Sequence, residues 1–174
     1  VGSEMCIRDS MELNLRQGKP QQALEEGKIA LAKQPNDLSS LLVYARAQLA
    51  LGDTTGARGT LGSATRVADF NAPQQSEIAR LQLAAGNVDG AAYSLSKALS
   101  DQPNFIPAQA LMVQVEQRQG NPDKAEARAR QIVQSQPNKA LGHSLLGDLA
   151  MARNNPAAAL AAYRQAHKVE PGTG

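Results

Sequence analysis

The sequence has few aromatic residues: its 174 residues include no tryptophan, three tyrosines and two phenylalanines. The β-branched and aromatic residues that favour strands are scarce, whereas the helix formers alanine, leucine, glutamine, arginine and lysine are abundant. Because alanine offers little volume to fill a wide gap, helices with an alanine-rich core must pack closely together. The composition therefore predicts an all-α chain with a core of small side chains.

Cysteine, histidine and clustered charge are also scarce. The one cysteine, Cys6, lies in the first ten residues, so the rest of the chain offers no disulfide framework and no cysteine ligands for zinc. With only two histidines, His143 and His167, and no carboxylates at ligand spacing, no metal and no cofactor are predicted. No nucleophile motif such as G-x-S-x-G occurs, so the chain is predicted not to be an enzyme.

Two further classes of partner are disfavoured by what the sequence lacks. The net charge is only +2 and the basic residues are scattered, whereas nucleic-acid binding usually needs a basic stripe or patch. No apolar run approaches the ~20 residues that cross a bilayer, and no secretory signal is recognisable at the start. Neither a nucleic-acid partner nor a transmembrane segment is predicted for this chain.

A 34-residue period organises the sequence. The first landmark is a glycine before a polar turn, replaced once by asparagine: Gly18, Gly52, Gly86, Gly120 and Asn154. An alanine lies five residues later: Ala23, Ala57, Ala91, Ala125 and Ala159. A proline, replaced once by aspartate, follows twelve residues further on: Pro35, Asp69, Pro103, Pro137 and Pro171. Three landmarks that keep their register over five copies indicate a repeat protein.

Each repeat is predicted to be a pair of helices, as the fourth copy illustrates. A first helix over roughly 107–119 ends at Gly120, which can adopt the left-handed conformation that closes a helix. Asn121 is predicted to cap a second helix that begins at Pro122, where a missing N–H costs nothing, and that ends before Pro137. The same capping role is predicted for Asp53, Asn87 and Asn155.

This pattern resembles the tetratricopeptide repeat, whose consensus W-x2-L-G-x2-Y…A-x3-F…P is also 34 residues long. The fifth copy matches it most fully, through His143, Leu146, Gly147, Ala150, Ala159, Tyr163 and Pro171. The resemblance implies an all-α, right-handed superhelical solenoid of antiparallel helix pairs. Its expected divisions are a partial first repeat over 11–37 and repeats over 38–71, 72–105, 106–139 and 140–174, the last with a truncated C-terminus.

The resemblance also implies where a partner would bind. In this family the first helices of the repeats line a concave groove that holds a peptide or a partner protein. Carried over by register, the implied groove residues are Leu42, Arg46, Leu49, Ser76, Arg80, Leu83, Gln114, Gln117, Arg118, Ser144, Asp148 and Met151. The family's clamp for C-terminal carboxylates is not matched, because Arg46 and Arg80 lack the accompanying asparagines.

Three functions fit these observations. The first is a non-enzymatic protein-interaction scaffold, a fragment of a longer bacterial array. Its alanine- and glutamine-rich style resembles the repeat lipoproteins of exopolysaccharide export and PEP-CTERM protein sorting, which implies a periplasmic or outer-membrane-associated location rather than a cytoplasmic one. The alternatives are the regulatory arm of an enzyme and a structural spacer, for which charge reversal at Arg46 and Arg80 would leave partner binding unchanged. The sequence predicts no oligomeric state.

Two segments depart from the repeat pattern. The opening residues 1–10, VGSEMCIRDS, match residue by residue the translation of a transposon-adaptor sequence used to prepare DNA libraries, and are predicted to be an artefact. In the second repeat, Gly56, Gly59 and Gly62 fall within the predicted second helix. A hinge or phosphate loop is one interpretation of these glycines. The favoured one is a locally weak helix, or one packed very close to its neighbour.

Overall fold

A computed structural model of the protein describes residues 2–172, and within that range the only regular elements are α-helices. The helices are α1 (Gly2–Arg16), α2 (Pro20–Lys33), α3 (Leu38–Ala50), α4 (Thr54–Ala68), α5 (Ala72–Ala84), α6 (Val88–Asp101), α7 (Ile106–Arg118), α8 (Pro122–Ser135), α9 (Ala140–Ala152) and α10 (Pro156–Val169). The predicted all-α class and the tetratricopeptide-type helix pairs are confirmed.

The helices form two compact units. Unit 1 comprises residues 1–101 with α1 to α6, and unit 2 comprises residues 102–174 with α7 to α10. Within each unit, successive helices pack in pairs joined by short turns, and each pair also contacts the helix that follows it. Helix α1 runs through the residues predicted to be adaptor-derived, and Ile7 packs, partly buried, against the core of unit 1.

Both cores are built largely from alanine and leucine. In unit 1, Leu41, Leu61 and Ile78 pack together with alanines of α3 and α4. In unit 2, Val113, Ile132, Leu145 and Leu149 pack with alanines of α8. The five periodic alanines are all buried: Ala23, Ala57, Ala91, Ala125 and Ala159. A single methyl group at these positions allows the two helices of a pair to approach closely.

The turns between paired helices follow the landmarks of the sequence. The four periodic glycines have φ between 68° and 78°, and Asn154 adopts the same left-handed conformation at 56°. The side chains of Asp53, Asn87 and Asn155 accept hydrogen bonds from the backbone N–H three residues later, as predicted for helix caps. The prediction is wrong for Asn121, which occupies the cap position of α8 but whose side chain makes no capping hydrogen bond.

Two buried helical glycines leave room for tyrosine rings. A Cβ atom on Gly27 of α2 would lie 2.5 Å from Cδ2 of Tyr44 on α3, and 2.9 Å from Cε of Met11. In unit 2, a Cβ atom on Gly147 of α9 would lie 2.7 Å from Cδ1 of Tyr163 on α10. Because real Cβ contacts do not come so close, each ring rests directly on the backbone of the neighbouring helix.

The glycines of the second repeat lie inside an unbroken helix. Helix α4 continues from Thr54 to Ala68, so the hinge and the phosphate loop are not supported. Close packing does not explain Gly59 or Gly62 either, because a Cβ atom at either position would have no neighbour within 4 Å. The surviving interpretation is a helix that glycine weakens through its backbone entropy.

Replacing Gly59 and Gly62 by alanine is therefore expected to stabilise the protein. Each change should raise the free energy of unfolding by about 0.5–1 kcal/mol, since alanine restricts the unfolded chain and meets no clash in the folded one. Urea unfolding of the two variants measures this. The control is Gly27→Ala, where the new methyl group would collide with Tyr44, so that destabilisation is expected. Equal effects at Gly27 and Gly59 would contradict the explanation.

Candidate functional site

In unit 1, the predicted groove residues lie on α3 and α5. Leu42, Arg46 and Leu49 on α3 are partly buried, and Arg80 on α5 is exposed. Ser76 and Leu83 are buried, with 5% and 6% of their surface exposed, so each presents only a small part of its side chain at the surface.

The exposure of a position cannot be carried over by register alone. Helix α5 buries eight of its thirteen residues, spread around most of its circumference, so only a narrow strip of the helix is exposed. The Ser76 hydroxyl, moreover, donates to the carbonyl of Ala72 in its own helix, at 2.7 Å. The exposed face of α5 that a partner could contact is therefore narrow.

Both arginines of this predicted surface form ion pairs within unit 1. Nη1 of Arg46 donates to both carboxylate oxygens of Glu12 on α1, at 3.1 and 2.8 Å. Nε and Nη2 of Arg80 donate to Glu77 on the same helix at 3.0 and 2.5 Å, and this hydrogen bonding raises the pKa of Arg80. Exposed pairs of this kind contribute little stability, but they give each guanidinium a carboxylate partner already.

In unit 2, four of the predicted groove residues surround one cavity. Gln114, Gln117 and Arg118 on α7 and Asp148 on α9 line a space of about 230 Å³. Its floor is apolar and consists of Val113, Leu145 and Leu149, all largely buried. We call this cavity the α7–α9 groove.

The rim of the α7–α9 groove is polar and carries both hydrogen-bond donors and acceptors. The two glutamine amides each offer a donor and an acceptor, the groups that pair with an extended backbone. Asp148 accepts a hydrogen bond from the hydroxyl of Tyr163 at 2.7 Å, which raises the pKa of Tyr163 and fixes the carboxylate at the edge of the groove. Ser144 and Met151, also predicted on α9, do not line the cavity.

The apolar floor was not predicted as part of the site. Val113, Leu145 and Leu149 follow the helical spacing of core residues, so the sequence marks them as buried but gives no sign that part of each lines an opening. Whether these side chains line an opening depends on the distance between α7 and α9, and that distance is set by tertiary packing and cannot be read from the sequence.

Other kinds of site find little support in the described part of the chain. Among residues 2–172, no group of three or more histidine, cysteine, aspartate or glutamate side chains is arranged to hold a metal ion. Over the same range, none of the helices combines the length and the apolar character needed to cross a membrane. His143 is partly buried and His167 is exposed.

Solved structures similar to this chain are tetratricopeptide proteins or share their fold. MamA from Desulfovibrio magneticus RS-1, beginning at its residue 41, is 18% identical with a TM-score of 0.73 over 98% of this chain and 96% of that chain. TTC0263, a tetratricopeptide protein of Thermus thermophilus, is 22% identical with a TM-score of 0.69, covering 98% and 93% of the two chains. YrrB, described as having an unusual peptide-binding site, is 15% identical with a TM-score of 0.66, covering 96% and 86%. At these identities the likeness shows the fold.

The family models agree with the structures. No curated protein matches the sequence. One tetratricopeptide repeat model matches residues 14–81 and again 82–149, and a second matches residues 140–165. These matches cover most of the chain in the register of its 34-residue period, and the protein belongs to the tetratricopeptide repeat family.

Proposed function

We propose that this protein is a non-enzymatic scaffold that binds a peptide or an extended segment of a protein in the α7–α9 groove. The observation that carries the proposal is the convergence of Gln114, Gln117, Arg118 and Asp148 around an apolar floor. The tetratricopeptide fold commonly mediates protein–protein interaction, and no catalytic family is indicated by the matches. YrrB, a tetratricopeptide protein of similar fold, is described as having a peptide-binding site.

The chemistry of the groove defines the kind of segment that would bind. An apolar side chain of the ligand would cover Leu145 and Leu149, while its backbone would pair with the amides of Gln114 and Gln117. Arg118 and Asp148 carry opposite charges on the two sides of the groove and would set the direction of the bound segment. A role in exopolysaccharide export or protein sorting stays a prediction from sequence resemblance.

The proposal is tested by selecting peptides from a displayed random library against the whole chain and measuring their affinity by fluorescence polarisation. Replacing both Gln114 and Gln117 by alanine is expected to weaken binding by roughly 10- to 30-fold, since each lost hydrogen bond contributes about 1 kcal/mol. The matched control is Gln131→Ala with Gln134→Ala, an exposed pair at the same spacing on α8 that does not line this groove.

Three outcomes would overturn the proposal: no peptide selected above background, equal losses in the two glutamine pairs, or no loss in either. The structural-spacer alternative is tested in the same assay. Reversing the charges of Arg46 and Arg80 is expected to leave these peptides bound under either hypothesis, because both residues lie in unit 1 and already have carboxylate partners, so the glutamine variant is the deciding measurement. The spacer alternative fails as soon as the Gln114 and Gln117 variant loses binding.

A further inference from the structure

Side-chain hydrogen bonds join the helices of four pairs at equivalent positions. The first partner lies near the end of the first helix and recurs every 34 residues, and the second lies 12 residues after it. The bonded pairs are Asn14–Glu26, Gln48–Thr60, Gln82–Ser94 and Glu116–Arg128, with bond lengths between 2.7 and 3.1 Å. Each pair links the first helix of its repeat to the second.

The fifth pair of helices lacks this connection. The equivalent positions are Ala150 on α9 and Ala162 on α10, whose methyl groups cannot form hydrogen bonds or fill the same volume. A cavity of about 490 Å³ opens there, lined by both alanines together with Glu126, Arg130, Leu146, Leu149, Arg153, Asn155 and Ala158. We call it the α8–α10 pocket, because residues of α8 and α10 form its walls and residues of α9 lie between them.

The α8–α10 pocket is separate from the α7–α9 groove. The two cavities share only Leu149, which is 3% exposed and lies between them. The groove is lined by first helices alone, whereas the pocket takes its walls from the second helices α8 and α10. A ligand in one cavity therefore need not displace a ligand in the other.

The charges at the rim of the pocket are already balanced. Nη2 of Arg130 donates to Glu126 at 2.6 Å, and Nη1 of Arg153 lies 3.3 Å from the other oxygen of the same carboxylate. Nη2 of Arg153 donates to Asp123 at 2.6 Å. Two cations and two anions thus neutralise one another, so a charged ligand group would lose its hydration without gaining a counter-charge. The rim favours an uncharged occupant.

The floor of the pocket is apolar. Leu146, Leu149, Ala150 and Ala162 form its inner surface, and the exposed Ala158 adds a methyl group at the rim. Its volume lies within the ~300–1,000 Å³ range of sites that hold small ligands or anchoring side chains. An apolar group placed there would cover Leu146 and Leu149. It would occupy the position that the bonded side-chain pairs occupy in the other four repeats.

We propose that the α8–α10 pocket is a second binding site, which receives an uncharged apolar side chain, of the size of leucine or phenylalanine, from a partner polypeptide. The partner's side chain takes the place of the pair that the fifth repeat lacks. The site lies on the side of the second helices, so the protein would hold two segments at once, one in the pocket and one in the α7–α9 groove.

The test titrates the ¹⁵N-labelled whole chain with N-acetyl-leucinamide and N-acetyl-phenylalaninamide and follows the amide signals by NMR. Saturable shifts are expected at Leu149, Ala150, Ala158 and Ala162. The filled variant, Ala150→Gln with Ala162→Ser, copies the bonded pair Gln82–Ser94 and is expected to weaken the binding at least tenfold. The matched control is Ala152→Gln with Ala161→Ser, at exposed positions of the same helices outside the pocket.

A second variant guards against misfolding of the first. Ala158 is exposed at the rim, so Ala158→Leu can cover the pocket without changing the core and is expected to weaken the same binding. Three results would overturn the proposal: no saturable shift up to the solubility limit, equal shifts with the charged N-acetyl-argininamide, or unchanged binding by both the filled and the Ala158→Leu variants. Losses in these two variants but not in the control would support it.

Discussion

Replacing Ala125 by aspartate is expected to unfold unit 2, whereas the same replacement at Ala127 on the same helix is expected to leave it folded. Ala125 is fully buried in the cluster formed by Val113, Ile132 and Leu145, while Ala127 is exposed. Burying a carboxylate among these apolar side chains should cost more than about 3 kcal/mol, a large part of the ~5–15 kcal/mol that stabilises a typical domain.

The measurement is the helical signal in far-ultraviolet circular dichroism during heating and in urea. Because both variants place aspartate on α8, near its N-terminus, differences in helix propensity and in the helix dipole are nearly matched. The Ala127→Asp variant should unfold within about 0.5 kcal/mol of the original chain, as exposed substitutions usually do. Similar stability of the two variants would show that the periodic alanine is not required for close packing.

Replacing Arg128 by methionine is expected to destabilise unit 2 by about 3–5 kcal/mol, the usual cost of leaving one member of a buried ion pair without the other. Glu116 is 2% exposed, and Arg128 donates three hydrogen bonds to its carboxylate. Methionine keeps much of the apolar length of arginine, so the loss reflects the charge and its hydrogen bonds. After the change, Lys124, whose Nζ lies 3.9 Å from Oε1 of Glu116 and whose side chain is largely exposed, would compensate the carboxylate only weakly.

The double variant Glu116→Gln with Arg128→Ser should recover most of this loss. It copies the neutral pair Gln82–Ser94, which holds α5 and α6 together at 2.8 Å in unit 1. Removing both charges together avoids the buried unpaired carboxylate, so the free energy of unfolding is expected to return to within about 1 kcal/mol of the original value. Urea unfolding of the single and the double variant measures the two free energies of unfolding. A double variant no more stable than Arg128→Met would show that the neutral pair cannot replace the ionic one.

The main features of the fold could be predicted from the sequence because they depend on local interactions. The left-handed turns require glycine or asparagine, and residues at Gly120 and Asn154 satisfy that requirement whatever surrounds them. The helix ends follow from capping side chains and prolines. Asn121 is the exception: it has the right residue type at the right position, yet its side chain does not form the bond.

The candidate sites could be predicted only in part, because cavities depend on distances between helices. Register placed Gln114 and Asp148 on the first-helix surface, where both line the α7–α9 groove. It also placed Leu83 there, although the packing around α5 buries it. The α8–α10 pocket is marked in the sequence only by alanines at positions 150 and 162, and their meaning appears once the bonded pairs of the other repeats are known.

The contacts between tyrosine rings and glycines give each unit its own optical reporter. The chain has no tryptophan, so tyrosine dominates its near-ultraviolet circular dichroism and its intrinsic fluorescence. Tyr44 is held against Gly27 in unit 1 and Tyr163 against Gly147 in unit 2, whereas Tyr93 is 62% exposed. A Tyr93→Phe background would remove the most exposed of the three tyrosines. The remaining two rings, removed one at a time, would distinguish loss of side-chain packing in one unit from loss in the other without any attached label.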